Sequence, residues 1–153
     1  MRESLTMRSV ERGRGLPLAV AVLVVVIGLV LIAPGRGGAQ AVAARTTPAS
    51  RTAEALRLLS DLVHGDDQAV VATFNAQMTR ALSALRLAGD WNFYQTVFGR
   101  YLGHGRPAAV VRGTLTVIRI PLHMSKRTGE FRITFQQNGR VAGLYLLRTG
   151  VPL

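Results

Sequence analysis

Hydrophobic periodicity changes once along this chain, and that change fixes the order of its layers. Between residues 50 and 101 apolar residues recur every three or four positions; from about residue 108 to 147 they alternate. The first spacing lines one side of a helix, the second one face of a strand. Helices followed by strands, with no return, predict an α+β domain rather than alternating βαβ units. The expected form is three N-terminal helices packed on a curved antiparallel sheet of about four strands.

The helical half divides at its turn residues. Ser50 or Thr52 can cap a first helix running to about Val63, with Leu56, Leu59 and Val63 on one stripe and Leu58 and Leu62 beside it. His64-Gly65 ends it, since glycine takes the left-handed conformation at a helix terminus without strain. Asp66 and Asp67 suit the start of a second helix, whose stripe is Val71, Phe74, Met78, Leu82 and Leu85. Gly89-Asp90 is read as a break before a third helix carrying Trp91, Tyr94, Val97, Phe98 and Tyr101.

In the second half, Gly103, Gly105 and Pro107 read as a turn, Ala108 to Arg112 as a short strand and Thr114 to Met124 as a longer one. Pro121 points to an edge or a bulge in that strand, because proline donates no ladder hydrogen bond. Glu130 to Gln136 alternates, with Phe131, Ile133 and Phe135 on one side. Asn138-Gly139 is a type I′ hairpin signal. A two-residue turn there pairs Phe135 with Ala142, Ile133 with Leu144 and Phe131 with Leu146, and leaves Arg132, Thr134 and Tyr145 on the opposite face.

Ahead of this domain lies an uncharged apolar run, residues 18–33, behind Arg2, Arg8, Arg12 and Arg14. As a helix it is about 24 Å long, between the lengths of a signal-peptide core and a membrane span. Ala39-Gln40-Ala41 has the small-x-small pattern of a signal-peptidase site. Residues 1–41 are therefore read as a signal peptide or N-terminal membrane anchor, 42–50 as a flexible spacer and 51–153 as the folded domain. The expected location is outside the cytoplasm, secreted or anchored.

Several chemistries lack the residues they need. The chain has no cysteine, which excludes disulfides, thiolate metal sites and thiol nucleophiles. His64, His104 and His123 are far apart, with no helical i, i+4 pair, so no metal site is expected. Asp61, Asp66, Asp67 and Asp90 fall at predicted helix ends, where capping accounts for them, and Glu130 lies beside a turn. No catalytic set and no cofactor are assigned. After residue 49, 12 Arg and one Lys face six acids, a net charge of +7. The arginines are scattered, so nucleic acid is not an expected partner, whereas an anionic lipid or cell-wall polymer suits that charge.

The order Leu62-Val63-His64-Gly65-Asp66-Asp67, then Phe74-Asn75-Ala76-Gln77-Met78, then Leu87 to Trp91, Gly99, and Asn138-Gly139-Arg140-Val141-Ala142-Gly143-Leu144 resembles the domain-of-unknown-function 3887 family. The resemblance covers most of residues 53–147. It implies a cone of helices wrapped by a curved sheet, similar to the nuclear-transport-factor-2-like (NTF2-like, cystatin-like) superfamily, in exported bacterial domains. Some such domains precede a serine hydrolase, but these 153 residues contain no Gly-x-Ser-x-Gly motif, so no hydrolase activity carries over.

In such a cone, Trp91, Tyr94, Phe98, Tyr101, Phe131 and Phe135 are the ligand-pocket candidates, with Leu144 and Leu146. His123 joins them if a bulge at Pro121 turns it inward. Arg132 and Tyr145, cross-strand neighbours on the other face, are the candidates for holding an anion. The leading functional expectation is a non-enzymatic exported domain that binds a small apolar ligand or a protein partner, with a homodimer through the sheet face as one form. The alternatives are a small enzyme acting on an apolar ligand inside the cone, through His123 and Tyr94, and a cationic envelope protein.

Overall fold

The computed structural model describes residues 47–153. The apolar run, the small-residue cleavage pattern and most of the spacer lie outside these residues. Four helices come first: α1 (Pro48–His64), α2 (Asp67–Val71), α3 (Ala76–Ala81) and α4 (Ala84–Phe98). Five strands follow: β1 (Tyr101–His104), β2 (Ala108–Arg112), β3 (Leu115–Met124), β4 (Thr128–Phe135) and β5 (Val141–Arg148). They form an open antiparallel sheet with helices packed on one face, the α+β class expected. Among the described residues no helix is long and apolar enough to cross a membrane.

The cap of α1 is Thr47, whose side chain accepts from the Ser50 N–H, with Pro48 in the first turn. Ser50 is thus the capped residue, not the cap. Gly65 closes the helix as expected: φ is 80°, its N–H donates to Leu62 C=O, and the Asp66 N–H donates to Asp61 C=O. These two bonds satisfy carbonyls that the helix end leaves free.

The expected second and third helices are redivided into three. The stripe holds at Phe74, Met78 and Leu82, all buried, but the backbone does not stay helical between them. Asn75 accepts from the Met78 N–H and starts α3; Ser83 accepts from the Arg86 N–H and starts α4. Between α2 and α3 the chain bonds to β5 instead, with Asn75 N–H to Val141 C=O at 2.9 Å and Val141 N–H to Thr73 C=O at 3.0 Å. Backbone groups that a continuous helix keeps to itself are used in tertiary contact. Gly89-Asp90, read as a break, lies inside α4, and Leu85 points to solvent. Tyr101 is on β1, beyond the helix end at Gly99.

Strand β3 is central. It pairs with β4 along one side, and with β1 and β2 over different halves of the other. Pro121 therefore sits in a central strand, not on an outer edge. Its carbonyl accepts the Gly105 N–H at 2.8 Å. The missing proline N–H faces the same side, where β1 hands over to β2 and no ladder bond is lost. The segment read as a turn around Gly103 is partly strand β1, and the reversal comes at residues 105–107.

The β4–β5 connection has three residues, 137–139, between Gln136 and Arg140, whose N–H and C=O are bonded at 2.9 Å. Gly139 adopts φ 90° and donates to Gln136 C=O, the arrangement of a turn followed by a glycine bulge. Ile133 pairs with Leu144 and Phe131 with Leu146 as expected, but the bulge pairs Phe135 with Val141, not Ala142. Val141 is fully buried as a result. Arg51 of α1 donates to the carbonyls of Gln136 and Gln137 and lies 5.2 Å from the Phe135 ring centre, tying the hairpin tip to the first helix.

Candidate functional site

The two faces of the sheet hold different chemistry. On the helix side, Ile118, Ile120 and Leu122 of β3 pack with Phe131, Ile133 and Phe135 of β4 and with Leu58, Leu59 and Leu62 of α1, all essentially without exposure. Helix α4 adds Trp91, Tyr94 and Phe98. The Trp91 and Tyr94 rings are 5.9 Å apart and those of Tyr94 and Phe98 are 4.2 Å apart, both stacked. Tyr101, half-buried on β1, approaches Trp91 at 6.2 Å. The pocket candidates Trp91, Tyr94, Phe98, Tyr101, Phe131 and Phe135 are thus brought into one cluster, where they belong to the core.

Tyr94 donates its hydroxyl to Leu147 C=O at 2.8 Å, across β4. A Cβ at Gly129 would overlap that hydroxyl, so glycine is required at the crossing. Burial raises the Tyr94 pKa, with the nearby Glu130 charge adding to the rise, so this phenol keeps its proton at neutral pH.

His123 is not part of the cluster. It alternates with Pro121 and Arg119 on the opposite face and is exposed, and β3 carries no bulge at Pro121 in its pairing with β4 to turn it inward. His64 bonds Ser60 C=O at its helix end, and His104 bonds Gly105 C=O. Among the described residues no group of three His, Asp or Glu could hold a metal ion.

The outer face carries what the sequence reading missed. Glu130 is only 4% exposed and is gripped from both sides. Arg119 donates to it through Nε at 3.1 Å and Nη2 at 2.7 Å; Arg132 donates through Nε at 2.7 Å. Cross-strand pairing places Arg119 beside Arg132, with Glu130 one alternate position along β4. Desolvation alone would raise the Glu130 pKa; the hydrogen bonds from Arg119 and Arg132, with their charges, outweigh it and hold the carboxyl below its ordinary value. The two guanidinium groups thus favour the ionised form of Glu130.

Arg132 and Tyr145 are cross-strand partners, as expected. Arg132 is 7% exposed, however, and its donors are occupied. Beyond Glu130 it binds Val151 C=O at 2.6 Å and Pro152 C=O at 2.9 Å. After β5 the chain turns at Thr149-Gly150, where Gly150 has φ 88°, and residues 151–153 come back over the outer face. The anion site expected at Arg132 is therefore taken by Glu130 and by two carbonyls of this strap. Arg119, its side chain 32% exposed, forms the wet edge of the cluster. A signal for this arrangement existed: Glu130 and Arg132 are two apart on the expected strand and so share a face, with opposite charges.

No family profile, curated protein or solved structure matches the chain.

Proposed function

We propose that this protein is an exported, non-enzymatic binding domain that takes an extended segment of a protein partner on the outer face of its sheet. The observation that carries this reading is the Arg132 clamp, a buried guanidinium fixed by Glu130 that donates to two successive main-chain carbonyls. Main-chain carbonyls are common to all peptides, so the clamp reads an extended backbone rather than one side chain. Val151 precedes Pro152, which favours that extended form. On this reading the strap occupies in cis the place that a partner segment takes in trans.

The absence of an enzymatic role is part of the proposal and is supported by the state of the ionisable groups. Glu130 is held ionised, Tyr94 is held protonated, and the three histidines bond to local carbonyls or face solvent. Export is supported by the arginine-flanked apolar run and by Ala39-Gln40-Ala41. A cone of the domain-of-unknown-function 3887 type belongs to the same proposal, supported by helices that precede an antiparallel sheet. A protein partner is favoured over a small apolar ligand because the aromatic candidates are in contact with one another.

Deleting residues 151–153 tests the reading. The shortened protein, recovered from exported expression and immobilised, is expected to retain an envelope protein that the intact chain retains weakly. Adding Arg132→Met to the shortened form is expected to abolish that retention. Equal retention with and without Arg132 would contradict the proposal.

A further inference from the structure

Helix α4 presents a second feature that the outer-face reading does not use. Its buried stripe is Leu87, Trp91, Tyr94 and Phe98. The opposite stripe is Leu85, Gly89 and Phe93, at four-residue spacing, so these three lie in line on one face. Leu85 is 85% exposed and Phe93 48% exposed. Nothing lies within 4 Å of where a Cβ on Gly89 would sit. The face is a notch between two large apolar side chains. Glycine in a helix interior costs roughly 1 kcal/mol relative to alanine, and here no intramolecular neighbour uses the space it leaves.

The pattern is complementary to itself. If a second α4 crosses the first antiparallel with the twofold axis at Gly89, each residue comes level with the one equally far on the other side of Gly89. Leu85 then meets Phe93 of the second copy, and Phe93 meets its Leu85. Glycine against glycine lets the axes approach to the lower end of the usual 8–10 Å range. Arg86 and Asp90 lie on one flank of this stripe, and neither makes an ion pair among the described residues. The twofold places Arg86 two residues, about 3 Å of axial rise, from Asp90 of the second copy, and does so twice. Charge and shape select the same partner.

We propose that α4 is a homodimerisation surface, in which two copies of this chain pack antiparallel across Gly89 with reciprocal Leu85–Phe93 contacts and Arg86–Asp90 ion pairs. This interface uses helix residues on the far side of the domain core from the strap, so it stands or falls separately from the partner-binding reading.

The test is sedimentation velocity on the exported protein, with variants at exposed positions. The parent chain is expected to be dimeric at tens of micromolar. Leu85→Glu and Gly89→Leu are expected to leave it monomeric. Arg86→Asp sets like charges face to face and is expected to weaken association about tenfold. Adding Asp90→Arg to Arg86→Asp reverses both partners and is expected to restore the parent affinity. Because the chain has no cysteine, Gly89→Cys gives a direct proximity readout. Oxidation is expected to link two chains, since a disulfide needs Cα atoms within roughly 7 Å, whereas Gln137→Cys on the β4–β5 turn is expected not to link. A monomeric parent chain would overturn the proposal, and would mean that the face is bare or covered from within the same chain. A dimer indifferent to Leu85 and Gly89, or a charge reversal without rescue, would overturn it as well.

Discussion

The helix-facing and outer sides of β4 differ in what holds them together. On the inner side, Phe131, Ile133 and Phe135 pack within the apolar and aromatic core, so their position follows mainly from filling volume, with the Arg51 guanidinium over the Phe135 ring at its margin. On the outer side, Glu130 and Arg132 occupy alternate positions of the same strand and are also buried, but they are held by directed hydrogen bonds. Volume filling tolerates no foreign group without repacking. A directed clamp on main-chain carbonyls accepts any segment that presents the same two carbonyls. One strand thus carries the stability of the domain on one face and, in our reading, its recognition on the other.

The largest effect that separates the faces is truncation of the inner one. Phe131→Ala is expected to cost about 3–5 kcal/mol, seen as a loss of unfolding free energy in urea. Glu130→Gln keeps the shape but leaves Arg132 buried without its counter-charge. Because Arg119 is partly solvated, a smaller cost of about 1–3 kcal/mol is expected. The acid limb of the stability curve sharpens the contrast. The Glu130 pKa is lower in the folded than in the unfolded chain, so its contribution is fully present at neutral pH. It is lost as pH falls from the ordinary glutamate value through the lower folded one. Urea midpoints measured across that range are expected to fall more steeply for the parent protein than for Glu130→Gln, while Phe131→Ala is expected to keep the parent slope. The smallest effect is His123→Ala, at an exposed outer position outside both sets, expected to stay within about 0.5 kcal/mol.

The α+β order was legible because periodicity is a local property, and it survived at Leu58, Leu62, Phe131 and Ile133. The break of the middle helices at Asn75 and Ser83 was visible only as two capping residues inside an apolar stripe. At Asn75 the break goes with two main-chain bonds to Val141, far along the chain, which no local pattern encodes. Asn138-Gly139 marked the hairpin correctly, but its length depended on a bulge that brings Val141 inward. The aromatic cluster was found as a set, since bulk and spacing suffice. Its burial in the core depended on how neighbouring rings pack in three dimensions. The ion cluster was missed because Glu130, at the first position of the expected strand beside a turn, gives no local sign of burial, and its second partner, Arg119, lies on another strand. The burial of Glu130 follows from the cross-strand pairing of Arg119 with Arg132. The strap over Arg132 has no sequence signal beyond Gly150 as a reversal point.

The claim that the outer face is the working surface is tested most directly by comparing two substitutions in one binding measurement. Arg132→Met disarms the clamp and leaves the core intact; Tyr94→Phe removes one hydroxyl from the inner cluster and leaves the clamp intact. With the strap-deleted protein, the account predicts that Arg132→Met loses the partner and Tyr94→Phe keeps it. Loss with Tyr94→Phe and retention with Arg132→Met would contradict it and move the working surface to the inner face.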